Sequence, residues 1–413
     1  MSFLYTFAMA TEAVAAGKPS EVEIKQHESD ASVHLDAVRG LAALAVFLGH
    51  GKPMFLNSRL RDSVGLNQAT SAPSTSPPPD PTPAGEHETV GHEAVVVFFV
   101  LSGYFVGGSV LRATRKGIFS WQKYLFQRLT RLWVVLLPAL LLGWALDVGG
   151  MQLPHRDQNI YSAPMGQDEV QPGLAERLTP SVFAGNLFFL QTIWYRTFGS
   201  NVSLWSLSYE FWYYVFFPFL VAIFLPSKRP LERAASGLLL VAMFAVFGME
   251  LSRYFLVWLF GAGVALLPLR LTADRRRVVT AAAGLVFSLA LVAMLKAKLN
   301  LYVSDLVLSV AFSALLWTML HATRATASSL YRTMAQGLSN MSYTLYCVHM
   351  PFLAIVCALV MPAWHPWPLS VRSVVMLLGV YGVVFLASWL VYRLFERNTG
   401  KIRKQLAIFD GPV

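Results

Sequence analysis

An arginine and a histidine mark the two ends of an apolar stretch, LDAVRGLAALAVFLGH, which runs from Leu35 to His50. Arg39 and His50 are eleven residues apart, so at about 100° per residue they fall on one face of a helix, about 16 Å apart along its axis. A guanidinium group binds anions and an imidazole transfers protons. The spacing favours a joint role. The alternatives are an Arg39 that only anchors the helix end, paired with Asp36, and a His50 at a loop edge.

The segment LWSLSYEFWYY places one carboxylate, Glu210, among aromatic residues. Glu210 is a candidate to orient His50 and to stabilise its imidazolium form, as the third member of a catalytic triad does. The aromatic residues recur at helical spacing on one side, and they are Trp205, Tyr209, Trp212 and Tyr213. They either stack on a sugar ring or form the aromatic belt of a membrane interface.

Two arginines of the segment RLTR, Arg128 and Arg131, are three residues apart and so are neighbours on a helix. Such a pair suits bidentate binding of phosphate groups, although two arginines can also serve only to orient a membrane helix. The surrounding SWQKYLFQRLTRL alternates apolar and basic residues at roughly helical spacing. We predict that it lies along the inner membrane interface.

The remaining histidines differ in their surroundings. His349, in YTLYCVHMP, lies within a long apolar run and either lines a site or is hydrogen-bonded to a helix carbonyl. His87 and His92, in EHETVGHE, are five residues apart and miss the four-residue spacing of a helical metal pair. We predict a solvated loop for that segment, with Glu93 able to lie near His50, and no metal site.

The composition defines the class of protein that positions these groups. Of the 413 residues, 55% are hydrophobic and 14% are charged, and the mean hydropathy is +0.51. A soluble domain is about 25% charged. Apolar runs long enough to cross a bilayer recur near 38–56, 92–111, 132–150, 204–225, 235–249, 252–268, 278–295, 303–321, 338–361 and 370–392. These predict an all-α polytopic membrane protein, a bundle of about ten transmembrane helices.

The net charge of +10 comes from clusters of Lys and Arg in alternate loops and at the C-terminus. The clusters fall within 112–131, 228–233, 270–277 and 393–404. Cytoplasmic loops carry such an excess, so we predict that both termini are cytoplasmic in a multi-pass protein of the cell's inner or plasma membrane. The charge then reports orientation in the lipid bilayer, and no nucleic-acid partner is required.

The chain divides into a cytoplasmic N-terminal tail, a transmembrane domain and a basic cytoplasmic tail, over residues 1–34, 35–395 and 396–413. Two outer loops are predicted within the domain, over residues 57–91 and 151–200. The first contains APSTSPPPDPTPAGE, whose prolines lack backbone donors and exclude a regular helix.

Five motifs in this order resemble the membrane-bound acyltransferase-3 family: LDAVRGLAALAVFLGH, VVVFFVLSGYFVG, RLTR, LWSLSYEFWYY and SYTLYCVHMP. The FERNTG ending is also similar to that family. The resemblance implies transfer of an acyl group, commonly acetyl, from acyl-coenzyme A (acyl-CoA) to a hydroxyl. The implied acceptors are sugars of surface polysaccharide, lipopolysaccharide or glycolipid, and for some members small secondary metabolites.

The resemblance also assigns roles to residues. It implies that Arg39, Arg128 and Arg131 lie on the donor side and that His50 is catalytic. Ser102, in the second motif, and His349 are candidates for lining the site.

One alternative belongs to another class of protein. Intramembrane Arg, His and Glu also suit a transporter of an anionic or acylated small molecule. The sequence contains no inverted repeat, which favours the enzyme.

Overall fold

The computed structural model describes residues 30–57, 91–153, 158–162, 173–268, 271–296, 300–321 and 328–408. Most of the predicted N-terminal tail, and the proline-rich loop between residues 57 and 91, lie outside these ranges. The helix predicted to follow the tail begins at Asp30, five residues before the predicted domain boundary.

Helices make up nearly all of the described chain. The helices of the ten predicted spans are α1 (Asp30–Phe55), α2 (Gly91–Ser102), α3 (Gly108–Arg115), α4 (Trp121–Met151), α7 (Trp205–Ile223), α8 (Pro230–Phe247), α9 (Met249–Val264), α10 (Ala273–Lys296), α11 (Leu301–Met319), α12 (Ser329–Val360) and α13 (Val371–Leu394). Shorter elements are α5 (Leu174–Arg177), α6 (Pro180–Leu187), α14 (Thr399–Ile408), and the strands β1 (Leu56–Asn57) and β2 (Trp367–Pro368).

All ten predicted spans are helical. The second span is α2 and α3, joined without a break by a π-helix over Gly103–Gly107. Among the described residues, nine helices are long and apolar enough to cross a membrane, and the remaining span, α9, has 16 residues. These helices confirm the prediction of an all-α polytopic membrane protein.

Helices α1 and α12 run side by side in the same direction. Arg39 contacts Ser339, His50 contacts His349, and Met54 contacts Cys357, so the residue numbers rise together along both helices. The strands that follow them, β1 and β2, also pair in parallel. Two membrane spans that run in the same direction have an odd number of spans between them in the chain. Six of the described long apolar helices lie between α1 and α12, so the short helix α9 must be the seventh span.

Helix α4 differs from its prediction. The segment SWQKYLFQRLTRL, predicted as an interfacial helix, is instead the first part of the continuous 31-residue helix α4. Ser120 caps this helix by accepting a hydrogen bond from the Lys123 backbone N–H, and no glycine or proline follows before Pro138. The arginines of RLTR therefore lie on a helix that continues into the bundle.

Helices α2 and α9 approach closely through glycine. A methyl group at Gly103 would meet the carbonyl oxygen of Trp258, and one at Gly261 would meet that of Val100. Small residues allow such contact between membrane helices. The contact occurs where α2 passes into the π-helix, a feature frequent at functional sites. Ser102 is the last residue before this π-helix.

The helices differ in the share of their surface that is buried by the rest of the protein. The apolar windows of α2–α3 and α12 are mostly buried, whereas those of α8 and α10 are almost wholly exposed. A helix that is apolar on all sides and exposed is expected to face lipid. The polar side chains of interest lie among the covered helices.

Candidate active site

At one end of the α1–α12 pair, Arg39 lies against helix α12. Its Nη2 donates to Asp36 Oδ1 at 3.3 Å and to the Ser339 carbonyl oxygen at 3.4 Å, and Ser339 Oγ donates to Asp36 Oδ1 at 2.7 Å. The side chains of Arg39 and Asp36 remain partly exposed. We call Arg39, Asp36, Ser339, Arg131 and Glu396 the arginine cluster.

Glu396 brings a second carboxylate to the arginine cluster. It follows α13 in a short 3-10 turn and accepts hydrogen bonds from the Thr344 backbone N–H at 3.0 Å and from Thr344 Oγ1 at 2.5 Å. It also interacts electrostatically with Arg39 and Arg131. Glu396 lies in the predicted tail, where its one signal in the sequence is an acidic residue in a basic segment. The rest of the described tail forms α14.

Arg128 and Arg131 are neighbours on α4, but they contact different parts of the protein. Arg131 is exposed and interacts electrostatically with Arg39. Arg128 Nη2 donates to Ser109 Oγ at 3.0 Å, and its guanidinium lies 5.5 Å and 5.8 Å from the ring centroids of Tyr124 and Tyr214. The two arginines therefore present positive charge at two separate points rather than as a single bidentate pair.

A polar network deeper in the bundle contains Glu210 and Ser102. Tyr214 Oη donates to Glu210 Oε1 at 2.5 Å and lies 3.3 Å from Ser102 Oγ. Trp258 Nε1 donates to the same Ser102 Oγ at 3.2 Å. The structure thus joins Glu210 to Tyr214 and, through the Tyr214 ring, to Arg128. Glu210 was predicted to orient His50. Its hydrogen-bond partner is instead Tyr214, and the side chain next to His50 is that of His349.

Proline explains why α7 is held at Tyr214. Pro218 has no N–H, so the carbonyl of Tyr214, four residues earlier, loses its partner within the helix. Tyr124 Oη donates to that carbonyl at 3.0 Å. Helices α4 and α7 are therefore bonded together beside Glu210.

At the other end of α1, His50 pairs with His349. Nδ1 of His50 lies 3.1 Å from Nε2 of His349, and the rings stack with centroids 5.2 Å apart and planes at 26°. His349 is completely buried, and its Nδ1 lies 2.9 Å and 3.0 Å from the carbonyl oxygens of Leu345 and Tyr346. His50 is partly exposed. We call His50 and His349 the histidine pair.

The chain between α6 and α7 packs against α12 beside the histidine pair. Pro351 leaves the carbonyl of Cys347 without a helical partner, and Asn201 Nδ2 donates to it at 2.6 Å. Ser203 Oγ donates to the Tyr346 carbonyl at 3.3 Å, and Tyr346 Oη returns a bond to the Ser203 carbonyl at 2.6 Å. The chain immediately after the predicted second outer loop is therefore built into the bundle.

Two further buried groups anchor the same loop. Asp147 accepts hydrogen bonds from the Ser200 backbone N–H and from Ser200 Oγ, both at 2.7 Å. Arg177 Nη1 donates to Thr197 Oγ1 at 3.1 Å, and burial lowers the pKa of Arg177 to about 10. Each bond ties the loop to the helices or to itself and restricts its movement near His349.

Trp205 lies in a packed aromatic group. Its ring contacts those of Tyr209, Tyr254 and Phe99 and stacks on His92 at 6.4 Å between centroids. Trp205 itself is partly exposed. A role in binding a sugar would therefore use only the uncovered part of this ring.

His92 corrects the prediction of a solvated loop. It is buried in the first turn of α2, and its Nε2 lies 2.8 Å from Oδ1 of Asp305 on α11, which is also buried. Asp305 was not predicted as a site residue, and its signal in the sequence is a single carboxylate in an otherwise apolar span. Within the described residues, no group of three or more His, Cys, Asp and Glu is arranged to hold a metal ion. The rest of EHETVGHE before Gly91 lies outside those residues.

The arrangement separates two kinds of chemistry along one helix. The arginine cluster and Arg128 can bind an anion, and the histidine pair can accept or donate a proton. Comparison with known proteins agrees with a catalytic use. The family model for an acyltransferase domain matches residues 33–393. No curated protein and no solved structure matches the chain at a significant level. Because the match spans nearly the whole described bundle, this chain belongs to the acyltransferase-3 family of membrane proteins.

Proposed function

We propose that this acyltransferase transfers an acyl group, most simply acetyl, from cytoplasmic acyl-CoA to a hydroxyl of a sugar. The sugar belongs to a surface polysaccharide, a lipopolysaccharide or a glycolipid. One observation carries the proposal: Arg39 and His50 contact the same neighbouring helix, α12, from opposite ends of α1. An anion site and a proton-transfer site therefore share one helix interface.

The arginines suit the nucleotide end of the donor. Coenzyme A carries several phosphate charges, and arginine binds phosphate through paired hydrogen bonds. Arg131 is exposed and Arg39 is partly exposed, so both can be reached from the adjacent solvent. The basic loops predict that this end of the bundle is cytoplasmic, which is where acyl-CoA is found.

The separation along α1 suits the donor's arm. Arg39 and His50 are eleven residues apart, which corresponds to about 16 Å of helix. An extended pantetheine arm has a comparable length. The thioester would then reach the histidine pair while the phosphates stay at the arginine cluster.

His50 performs the proton transfer by one of two routes. As a general base it takes the proton of the acceptor hydroxyl while the oxygen attacks the thioester carbonyl. The carbon–sulfur bond breaks, and the proton passes to the departing thiolate. In the covalent route, a ring nitrogen attacks the carbonyl first and the thiolate leaves. The acceptor hydroxyl then displaces the imidazole, and the hydroxyl proton passes to the thiolate. General base catalysis contributes roughly 10²–10⁴-fold.

The remaining candidate residues have supporting roles in this scheme. Glu210 and Ser102 hold Tyr214, which lies beside Arg128. Trp205 offers an aromatic face to the acceptor sugar. No metal ion takes part, and the protein's partners are acyl-CoA, the acceptor and the lipid bilayer.

The test supplies acyl-CoA labelled in the acyl group to membrane vesicles that contain the wild-type protein or His50→Ala. We expect covalent label on a glycan or glycolipid with the wild type, and none with His50→Ala at equal protein levels. Label that crosses the membrane without covalent attachment would support the transporter instead. Label on a small secondary metabolite would keep the enzyme and change the acceptor.

A further inference from the structure

The bonding of His349 determines where its proton lies. Its Nδ1 is 2.9 Å and 3.0 Å from two carbonyl oxygens of its own helix, at Leu345 and Tyr346. A carbonyl oxygen only accepts hydrogen bonds, so Nδ1 must carry the hydrogen. The ring is completely buried, and burying a charge without a partner is costly, so the ring is neutral. Nε2 of His349 is then left as an acceptor.

The hydrogen bond between the two rings then determines which nitrogen of His50 carries a hydrogen. Its Nδ1 lies 3.1 Å from Nε2 of His349. Because Nε2 of His349 carries no hydrogen, Nδ1 of His50 must donate one. In the neutral form of His50, which has a single N–H, Nε2 is therefore the nitrogen that holds a lone pair.

We infer that His349 is a positioning residue that holds His50 in the Nδ1–H form, so that Nε2 of His50 is the reacting nitrogen. This inference rests on the proposed function and adds the direction of proton transfer. In the general-base route, Nε2 takes the hydroxyl proton, and the resulting imidazolium keeps its Nδ1–H bond to His349. In the covalent route, the same Nε2 bonds to the acyl carbon as the thiolate leaves.

The first experiment observes the tautomer directly. The nitrogen resonances of ¹⁵N-labelled histidine distinguish a protonated from an unprotonated ring nitrogen, and the His50 signals are assigned by their loss in His50→Ala. We expect a proton on Nδ1 and none on Nε2 of His50 in the wild type. A proton on Nε2 would overturn the inference. In His349→Leu, we expect His50 to show a mixture of the two forms.

The second experiment measures the kinetics of His349 variants. Leucine cannot accept a hydrogen bond, whereas the side-chain oxygen of glutamine can. We expect His349→Leu to lower kcat by roughly 10- to 10⁴-fold, the upper end being the loss when a serine-protease triad holds its histidine in the wrong tautomer. The KM for acyl-CoA should not change, and His349→Gln should recover part of kcat.

His321 provides a matched control. It is also buried, just after the end of α11, and its Nδ1 lies 2.9 Å from the carbonyl of Trp317, four residues earlier. His321→Leu removes the same kind of bond away from His50 and should leave kcat unchanged. Equal losses in His321→Leu and His349→Leu would contradict the inference and indicate a purely structural effect.

The design separates this inference from the proposed function. Activity that survives His50→Ala refutes the catalytic role of His50 and the inference with it. Activity that is lost in His50→Ala but unchanged in His349→Leu refutes only the positioning role.

Discussion

Helix α1 meets α12 at an arginine end and at a histidine end, and these two ends are built from different interactions. At the arginine end, Arg39 forms an ion pair with Asp36, three residues earlier on the same helix, and both side chains are partly exposed. Because both side chains remain partly accessible, Arg39 can exchange this partner for a phosphate. At the histidine end, His349 is completely buried and bonded through both ring nitrogens.

This difference corresponds to the demands of the two tasks. Binding a charged donor requires permanent charge that solvent and substrate can reach. Proton transfer requires a ring with a fixed orientation and a fixed tautomer, which buried hydrogen bonds provide. Residues at the two ends should therefore affect different kinetic parameters.

The largest effect is expected at His50. His50→Gln removes the group that accepts a proton, so kcat should fall by roughly 10²–10⁴-fold. The KM for acyl-CoA should stay near the wild-type value because the arginine cluster is intact. Steady-state kinetics in vesicles at several donor concentrations measure both parameters. A large rise in KM with kcat unchanged would contradict the separation.

Arg39→Gln should have the opposite kinetic signature. Hydrogen bonds to charged groups contribute about 1.5–3 kcal/mol, so the KM for acyl-CoA should rise about 10- to 150-fold while kcat is largely kept. An acyl-pantetheine donor, which lacks the nucleotide phosphates, should be used equally by wild type and variant.

A matched control exists for Arg39. Arg253 forms an exposed i,i+3 ion pair with Glu250, at 2.7 Å, outside the candidate site. Arg253→Gln should leave the KM for acyl-CoA unchanged. Comparable increases in both variants would show that Arg39 acts only through overall charge.

Asn201→Leu tests how the histidine end is supported. The substitution leaves the Cys347 carbonyl, already deprived of a helical partner by Pro351, without its side-chain donor. An unsatisfied buried polar group costs about 1–3 kcal/mol, so thermal unfolding should occur at lower temperature. The kcat should fall while the KM for acyl-CoA is kept. An unchanged unfolding temperature would argue against this bond.

Thr344→Val should give the smallest effect, at the arginine end. It removes the hydroxyl bonded to Glu396 and keeps the backbone N–H bond, at a cost of about 1 kcal/mol in unfolding free energy. Thr318→Val is the control because Thr318 Oγ1 bonds only to a carbonyl of its own helix, at Leu315. A greater loss of thermal stability in the control would contradict a specific role for Glu396.

The sequence predicted the helices and the shared face of Arg39 and His50 because both follow from local rules. Hydropathy over about twenty residues identifies a span, and helical geometry alone relates residues eleven apart. Both side chains do contact α12.

The partners across helices could not be predicted in the same way. His50 and His349 are separated by 299 positions, and Asp36 and Ser339 by 303. No local rule relates residues so distant, and the predicted partner of His50 was Glu210. Likewise, the loop pattern of EHETVGHE gave no sign that Asp305 on α11 would bury His92. Glu396 was obscured by the basic residues around it.

The central claim is that one bound donor contacts the arginine cluster and reaches the histidine pair. Its most direct test uses bromoacetyl-CoA as a reactive donor. In this reaction a His50 nitrogen displaces bromide from the methylene carbon next to the thioester carbonyl, and mass spectrometry of the digested protein locates the new bond. The account predicts modification at His50, protection by acetyl-CoA, and at least about tenfold slower labelling in Arg39→Gln. Modification confined to residues outside the bundle, with His50 unmodified at saturating reagent, would contradict it.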